Sequence, residues 1–191
     1  MKKKILAFAV IVICLALITG TTLAYFTTED TARNVITSGR IQVEILEQQL
    51  VDGVLKPYPS QPIPVMPGAT VSKIVSARSD GQPAWIRMSY TMTVLDADGK
   101  EMNIPAEEME KVFTIVPDSQ NWTLKDGWWY CGEAVSGGNT SAPLFKEVKF
   151  SGPYMDNKYQ NSTLVIDVEL EAVQQAHNGT TALEAVGWSA N

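Results

Sequence analysis

Residues that carry metal or acid–base chemistry are scarce in this chain. His177 is the only histidine, and Cys14 and Cys131 are the only cysteines. Neither the HExxH nor the CxxC spacing of zinc sites occurs, and no GxSxG sequence marks a hydrolase nucleophile. A lone histidine within Gln-Ala-His-Asn-Gly is more often a solvated loop side chain than a metal ligand. The sequence therefore predicts no catalytic residue, no metal site and no cofactor.

Basic residues are also in deficit, with 15 Lys and Arg against 21 Asp and Glu. Three of the lysines, at residues 2–4, precede an uncharged apolar run at 5–18 and the small, polar residues 19–24. That order is typical of a secretory signal peptide, and it predicts cleavage between Ala24 and Tyr25. The alternative is an uncleaved membrane anchor, because residues 5–24 contain 20 positions without a charge.

Removal of the signal peptide changes the charge and the redox expectations. Without its three lysines the chain has 12 basic and 21 acidic side chains, a net charge of −9. Nucleic acids and anionic lipid surfaces select basic patches, so neither is an expected partner, and membrane contact is expected only through an uncleaved signal. Cys131 alone remains after cleavage, which excludes an intramolecular disulfide bond.

The rest of the sequence alternates between apolar and polar residues with a period of two, as half-buried antiparallel strands do. The clearest run is Ala84–Leu95, where Ile86 and Met88 share an apolar face and Arg87 belongs to a polar face. A second run covers residues 164–173. Its acidic positions alternate onto one face, which we expect to be solvated; they are Asp167, Glu169 and Glu171. Shorter predicted strands cover residues 41–45, 71–77 and 144–150.

A β-hairpin is predicted at residues 122–131, because Asp126-Gly127 suits a two-residue turn with positive φ at both positions. The hairpin gathers three of the five tryptophans, Trp122, Trp128 and Trp129. One interpretation is cross-strand packing in the core. The other is a platform on which carbohydrate rings stack.

Helix is scarce, and proline separates the first strand from the next. Residues 105–111 can form a two-turn helix with proline at its start, and a second short helix is expected at 181–186. Five prolines between residues 57 and 67 predict an extended connection that ends in a Pro-Gly turn. We expect this connection to lie inside one domain.

Several segments together resemble the TasA/camelysin (CalY) group of exported surface and biofilm-matrix proteins of Gram-positive bacteria. Residues 20–30 resemble export signals that are processed by an ER-type signal peptidase. Residues 36–41 (Ile-Thr-Ser-Gly-Arg-Ile) resemble the start of the group's first strand, and residues 66–68 (Met-Pro-Gly) its Pro-Gly turn. Residues 157–161 (Asn-Lys-Tyr-Gln-Asn), followed by 162–174, resemble a late turn and strand of the group.

The resemblance implies an all-β, jelly-roll-like antiparallel β-sandwich with one or two short helices, here over residues 39–191. It implies a secreted structural protein that forms fibres with itself or with a co-exported fibre subunit, after processing by a signal peptidase. The alternatives are a camelysin-type metallopeptidase and a carbohydrate-binding module. The sequence departs from zinc-protease patterns, so we expect no enzyme activity.

In fibre-forming members of the group, the freed N-terminal segment adds as a strand to the next subunit. The corresponding segment here is residues 25–38, whose apolar anchors are Tyr25, Phe26, Val35 and Ile36. The alternatives are that this segment is simply a chain terminus, or that it is the first strand of its own sheet.

Overall fold

The computed structural model describes residues 41–189, which all belong to one compact unit. The predicted signal peptide, its cleavage point at Ala24 and Tyr25, and the segment 25–38 lie outside the described residues. The described chain contains two antiparallel sheets, one α-helix and one 3-10 helix.

The larger sheet holds six strands. In chain order they are β1 (Val43–Val51), β2 (Val54–Pro57), β3 (Thr70–Ser79), β5 (Phe113–Ile115), β8 (Asn139–Thr140) and β9 (Phe145–Phe150). Their spatial order is β2-β1-β3-β9-β5, with the short strand β8 also paired to β3.

The smaller sheet has the order β10-β4-β7-β6. Its strands are β4 (Ala84–Leu95), β6 (Trp122–Lys125), β7 (Trp128–Cys131) and β10 (Thr163–Gln174). The chain passes between the sheets five times, and two of these crossings run from β3 to β4 and from β9 to β10. Because β3 pairs with β9 and β4 pairs with β10, these two crossings interlock the sheets. The predicted all-β antiparallel sandwich is confirmed.

The core fills the space between the sheets. Alternate residues of the strands meet there, among them Val75, Ile86, Trp122, Phe145 and Leu170. Burial of such side chains stabilises the fold by about 1.5–3 kcal/mol each. A second cluster at one end of the sandwich contains Val94, Val112, Phe113 and Tyr159.

The predicted hairpin at residues 122–131 is confirmed. Trp122 pairs with Cys131 and Leu124 with Trp129 across the strands. The turn has φ +50° at Asp126 and +82° at Gly127, the left-handed conformation that a two-residue turn of this type requires. An analogous hairpin, which was not predicted from the sequence, joins β1 and β2 and turns at Asp52-Gly53 with φ +53° and +78°.

The predicted first helix is confirmed as α1 (Ala106–Val112), which Pro105 precedes. The second predicted helix is wrong, because residues 181–186 form a single turn in which Thr181 O accepts from two backbone amides, those of Glu184 and Ala185. The 3-10 helix lies elsewhere, at Asn157–Tyr159. The proline-rich residues 58–67 contain no regular element, and their turn closes with an Ala69 N–Met66 O hydrogen bond of 3.0 Å.

The predicted solvated face of the smaller sheet is wrong at Arg87 and Glu171. Both side chains are buried, with residue exposures of 4% and 9%. The cause is the chain after β10, which folds back over this face and buries Ala182 and Ala185 against Trp85 and Tyr130. Asp167 is half-buried and Glu169 is exposed, so of the three acidic positions on β10 only Glu169 is fully solvated as expected.

Candidate functional site: an open strand edge and its apolar cleft

The smaller sheet ends in a long strand with one partner. Within residues 41–189, β10 pairs with β4 along its whole length and with no other strand. The outermost strands at the other three edges are shorter, since β2, β5 and β6 contain four, three and four residues, whereas β10 contains 12. An edge strand offers a row of backbone N–H and C=O groups to an added strand, and proteins commonly keep such edges short.

An apolar cleft lies beside the first half of β10. Side chains from both sheets line a cavity of about 260 Å³, among them Val71, Phe150, Leu164 and Ile166. The proline-rich connection forms another wall through Tyr58 and Ile63. The cleft is therefore bounded by β10, by the larger sheet and by residues that follow β2.

The side chains of β10 become more exposed at the point where the strand passes this cleft. Residues 163–167 are half-buried, whereas residues 170–173 are buried. The half-buried part includes Leu164 and Ile166, which belong to the inward-facing set of the strand. Apolar surface thus remains accessible where the edge and the cleft meet.

A partly buried ion pair lies near the cleft wall. Lys73 Nζ lies 2.6 Å from Glu47 Oε1 and 4.1 Å from the centre of the Tyr58 ring, and the Lys73 side chain is 7% exposed. Burial, and then the charge of Glu47, raise the pKa of Tyr58, so this phenol stays neutral at physiological pH. The contacts hold the start of the proline-rich connection against the larger sheet.

The three tryptophans of the hairpin do not share one surface. Trp122 is 1% exposed and donates from Nε1 to Ala142 O at 3.1 Å, inside the core. Trp129 lies half-buried on the same side of the ribbon and packs against that core. Trp128 lies on the opposite side, 4.3 Å from the Arg87 guanidinium. Trp122 is therefore closed to any ligand in this conformation.

The other candidates from the sequence lie apart from the cleft. Cys131 is buried in the core, and burial raises the pKa of its thiol. His177 lies exposed in a loop with φ +60°. In the part of the chain that the structure describes, no three His, Cys, Asp or Glu side chains are grouped to hold a metal. That same part contains no helix long and apolar enough to cross a bilayer.

Over residues 41–189 the fold is an antiparallel β-sandwich in which the long edge strand β10 pairs with β4 alone. No protein-family model matches the sequence, and the curated proteins include no match to it. Alternation of apolar and polar residues predicts β10 as a strand, but it does not reveal which strand of a sheet lies at its edge.

Proposed function

We propose that the chain is a secreted, non-catalytic structural protein of a Gram-positive cell surface or biofilm matrix. It assembles into fibres when residues 25–38 of one copy add as a strand along the open edge of β10 in the next copy. The observation that carries the proposal is the 12-residue edge of β10 beside an apolar cleft. Strand addition supplies affinity through backbone hydrogen bonds and specificity through pockets for alternate side chains.

The lengths of the two segments support this pairing. An extended segment of 14 residues, 25–38, spans about 46 Å, and the 12 residues of β10 span about 40 Å. The segment therefore covers the whole edge. Its apolar residues stand near its ends, so at least one anchor lies beside the cleft in either strand direction.

Export and processing would control when the segment becomes available. Cleavage after Ala24 makes Tyr25 the first residue, so the segment is released from the membrane when the signal is removed. A bulky residue at position 24 blocks the small-residue pocket of a signal peptidase. We expect Ala24→Phe to retain the precursor in the membrane and to prevent fibres, which fractionation and immunoblotting would show.

The experiment is electron microscopy and sedimentation of the purified, processed protein at high concentration. Val35→Asp/Ile36→Asp places two charges on apolar anchors, and Thr27→Asp/Thr28→Asp adds the same charge at polar positions of the same segment. We expect the first variant to remain monomeric and the second to form fibres as the unchanged protein does. Circular dichroism checks that both variants keep the β-sandwich.

Two results would overturn the proposal. One is that the unchanged protein stays monomeric at every concentration, both alone and with an extract of surface proteins from the source cells. The other is fibre formation that continues after deletion of residues 25–38.

A further inference from the structure

Methionines gather at one end of the sandwich. Four of the seven methionines in the chain pack, half-buried, against the end cluster of Val94, Val112, Phe113 and Tyr159. They are Met92, Met102, Met109 and Met155. Met155 also lines the apolar cleft beside β10, whereas Met92, Met102 and Met109 do not.

Three of these methionines line one concavity. Met92, Met102 and Met109 border a depression of about 320 Å³ that opens to solvent. Met92 belongs to β4, Met109 belongs to α1, and Met102 is held between them by a 2.8 Å hydrogen bond from its amide to Val94 O. Methionine side chains from three separate segments therefore line the same space.

Packing against the end cluster leaves these three side chains partly exposed. Methionine is a flexible filler of irregular apolar gaps, but here the three side chains stand half-exposed around an open depression. The remaining wall is partly polar, with Thr93, Glu101 and Asn103. The Glu101 carboxylate, exposed at this wall, favours a cation in the depression.

We propose that Met92, Met102 and Met109 form a binding site for a soft monovalent metal ion, Cu⁺ or its analogue Ag⁺. Thioether sulfur is a soft ligand that selects Cu⁺ over Mg²⁺, Ca²⁺ or Mn²⁺. Thioethers stay uncharged at all pH values, so metal binding needs no deprotonation, unlike binding at thiols or histidines.

The experiment is titration of the full chain with Ag⁺, followed by NMR of protein labelled at the methionine methyl groups. We expect one equivalent of Ag⁺ to shift the methyl signals of Met92, Met102 and Met109. The signals of Met88, buried in the core, and Met66, which is 76% exposed, should stay in place. Competition with a chromophoric Cu⁺ chelator then measures the affinity.

Variants test whether the three thioethers bind the ion. Met92→Leu/Met102→Leu/Met109→Leu keeps the apolar volume, and we expect it to lower the affinity by about tenfold or more. Met66→Leu is the matched control and should leave the affinity unchanged, as should His177→Gln. If the triple variant does not fold, the methyl shifts of the unchanged chain decide the question.

The proposal is overturned if Ag⁺ leaves the three methyl signals in place, or if the folded triple variant binds Cu⁺ as tightly as the unchanged chain.

Discussion

Nη2 of Arg87 lies 2.7 Å from Oε2 of Glu171, directly across the β4–β10 ladder and on the outer face of its sheet. The guanidinium also donates to Tyr130 Oη at 3.1 Å and to Ser189 O at 3.0 Å. The Trp128 and Trp188 rings lie 4.3 and 5.0 Å from it. This charge pair therefore ties β10 to β4 and to the chain that follows β10.

The first prediction concerns this pair. Arg87→Ala should lower the free energy of unfolding by about 3–5 kcal/mol, because it leaves the Glu171 carboxylate buried without its cation. Arg87→Met/Glu171→Met should recover most of that loss, since it removes both charges and keeps the volume. Urea denaturation measures both. Equal losses in the single and double variants would show that packing around Arg87, rather than charge pairing, is what matters.

The segment after β10 is fastened by a second set of contacts. The Asn178 side chain accepts from Val186 N at 2.8 Å and donates to Val186 O at 3.0 Å. Its backbone oxygen accepts from Trp85 Nε1 at 2.8 Å. Asn178 thus closes a loop and attaches it to β4.

Asn178→Ala is the second prediction. Loss of both side-chain hydrogen bonds should lower the free energy of unfolding by about 1–2 kcal/mol. Relative to the unchanged chain, hydrogen exchange in the variant should accelerate more at residues 178–189 than in the β4–β10 ladder. Asn191→Ala, at the last residue, is the control. The prediction fails if exchange accelerates equally in both regions.

The third prediction concerns acid stability. Glu108 Oε1 accepts a hydrogen bond from Tyr159 Oη at 2.7 Å and pairs with Lys158. The hydrogen bond from Lys158, and then that from Tyr159, hold the pKa of Glu108 below its ordinary value of 4.5. A lowered folded pKa gives stability that is complete above pH 4.5 and is lost as the pH falls through the folded value.

Glu108→Gln should therefore make the unfolding free energy less dependent on pH below pH 4.5 than it is in the unchanged chain. Glu110→Gln, exposed on the same helix, is the matched control. Urea denaturation at pH 7 and pH 3 measures the difference. If the unfolding free energy of the two variants depends on pH in the same way, the Glu108 contacts do not contribute to the pH dependence of stability.

The sequence predicted the long strands because alternation reports directly on a sheet with one buried face. For this reason the predicted bounds of the strand Ala84–Leu95 match the observed ones. The predicted pairing in the 122–131 hairpin likewise matches the observed register. Alternation failed at Arg87 and Glu171, because a polar residue on an outer face is indistinguishable from one that a distant segment will cover. One residue of the covering segment, Ser189, bonds to both side chains. It lies 102 positions after Arg87 and 18 positions after Glu171 in the sequence.

The candidate edge was harder to predict for a related reason. Which strand ends a sheet depends on the order in which strands pair, and that order involves contacts far apart in sequence. The Asp52-Gly53 turn carried a local signal for the β1–β2 hairpin, the same Asp-Gly pair that identified the other hairpin. The cleft beside β10 carried none, because its walls come from five separate stretches of chain.

Cross-linking between copies tests strand addition most directly. Copies carrying Ile36→Cys are mixed with copies carrying Thr163→Cys or Gln174→Cys, at opposite ends of β10, and treated with a short bifunctional maleimide. Strand addition predicts a cross-link between copies at one end of β10 and a much weaker one at the other, with Thr123→Cys on β6 as a negative control. Fibres that form without a cross-link to either end of β10, or with equal cross-linking to β6, would contradict it.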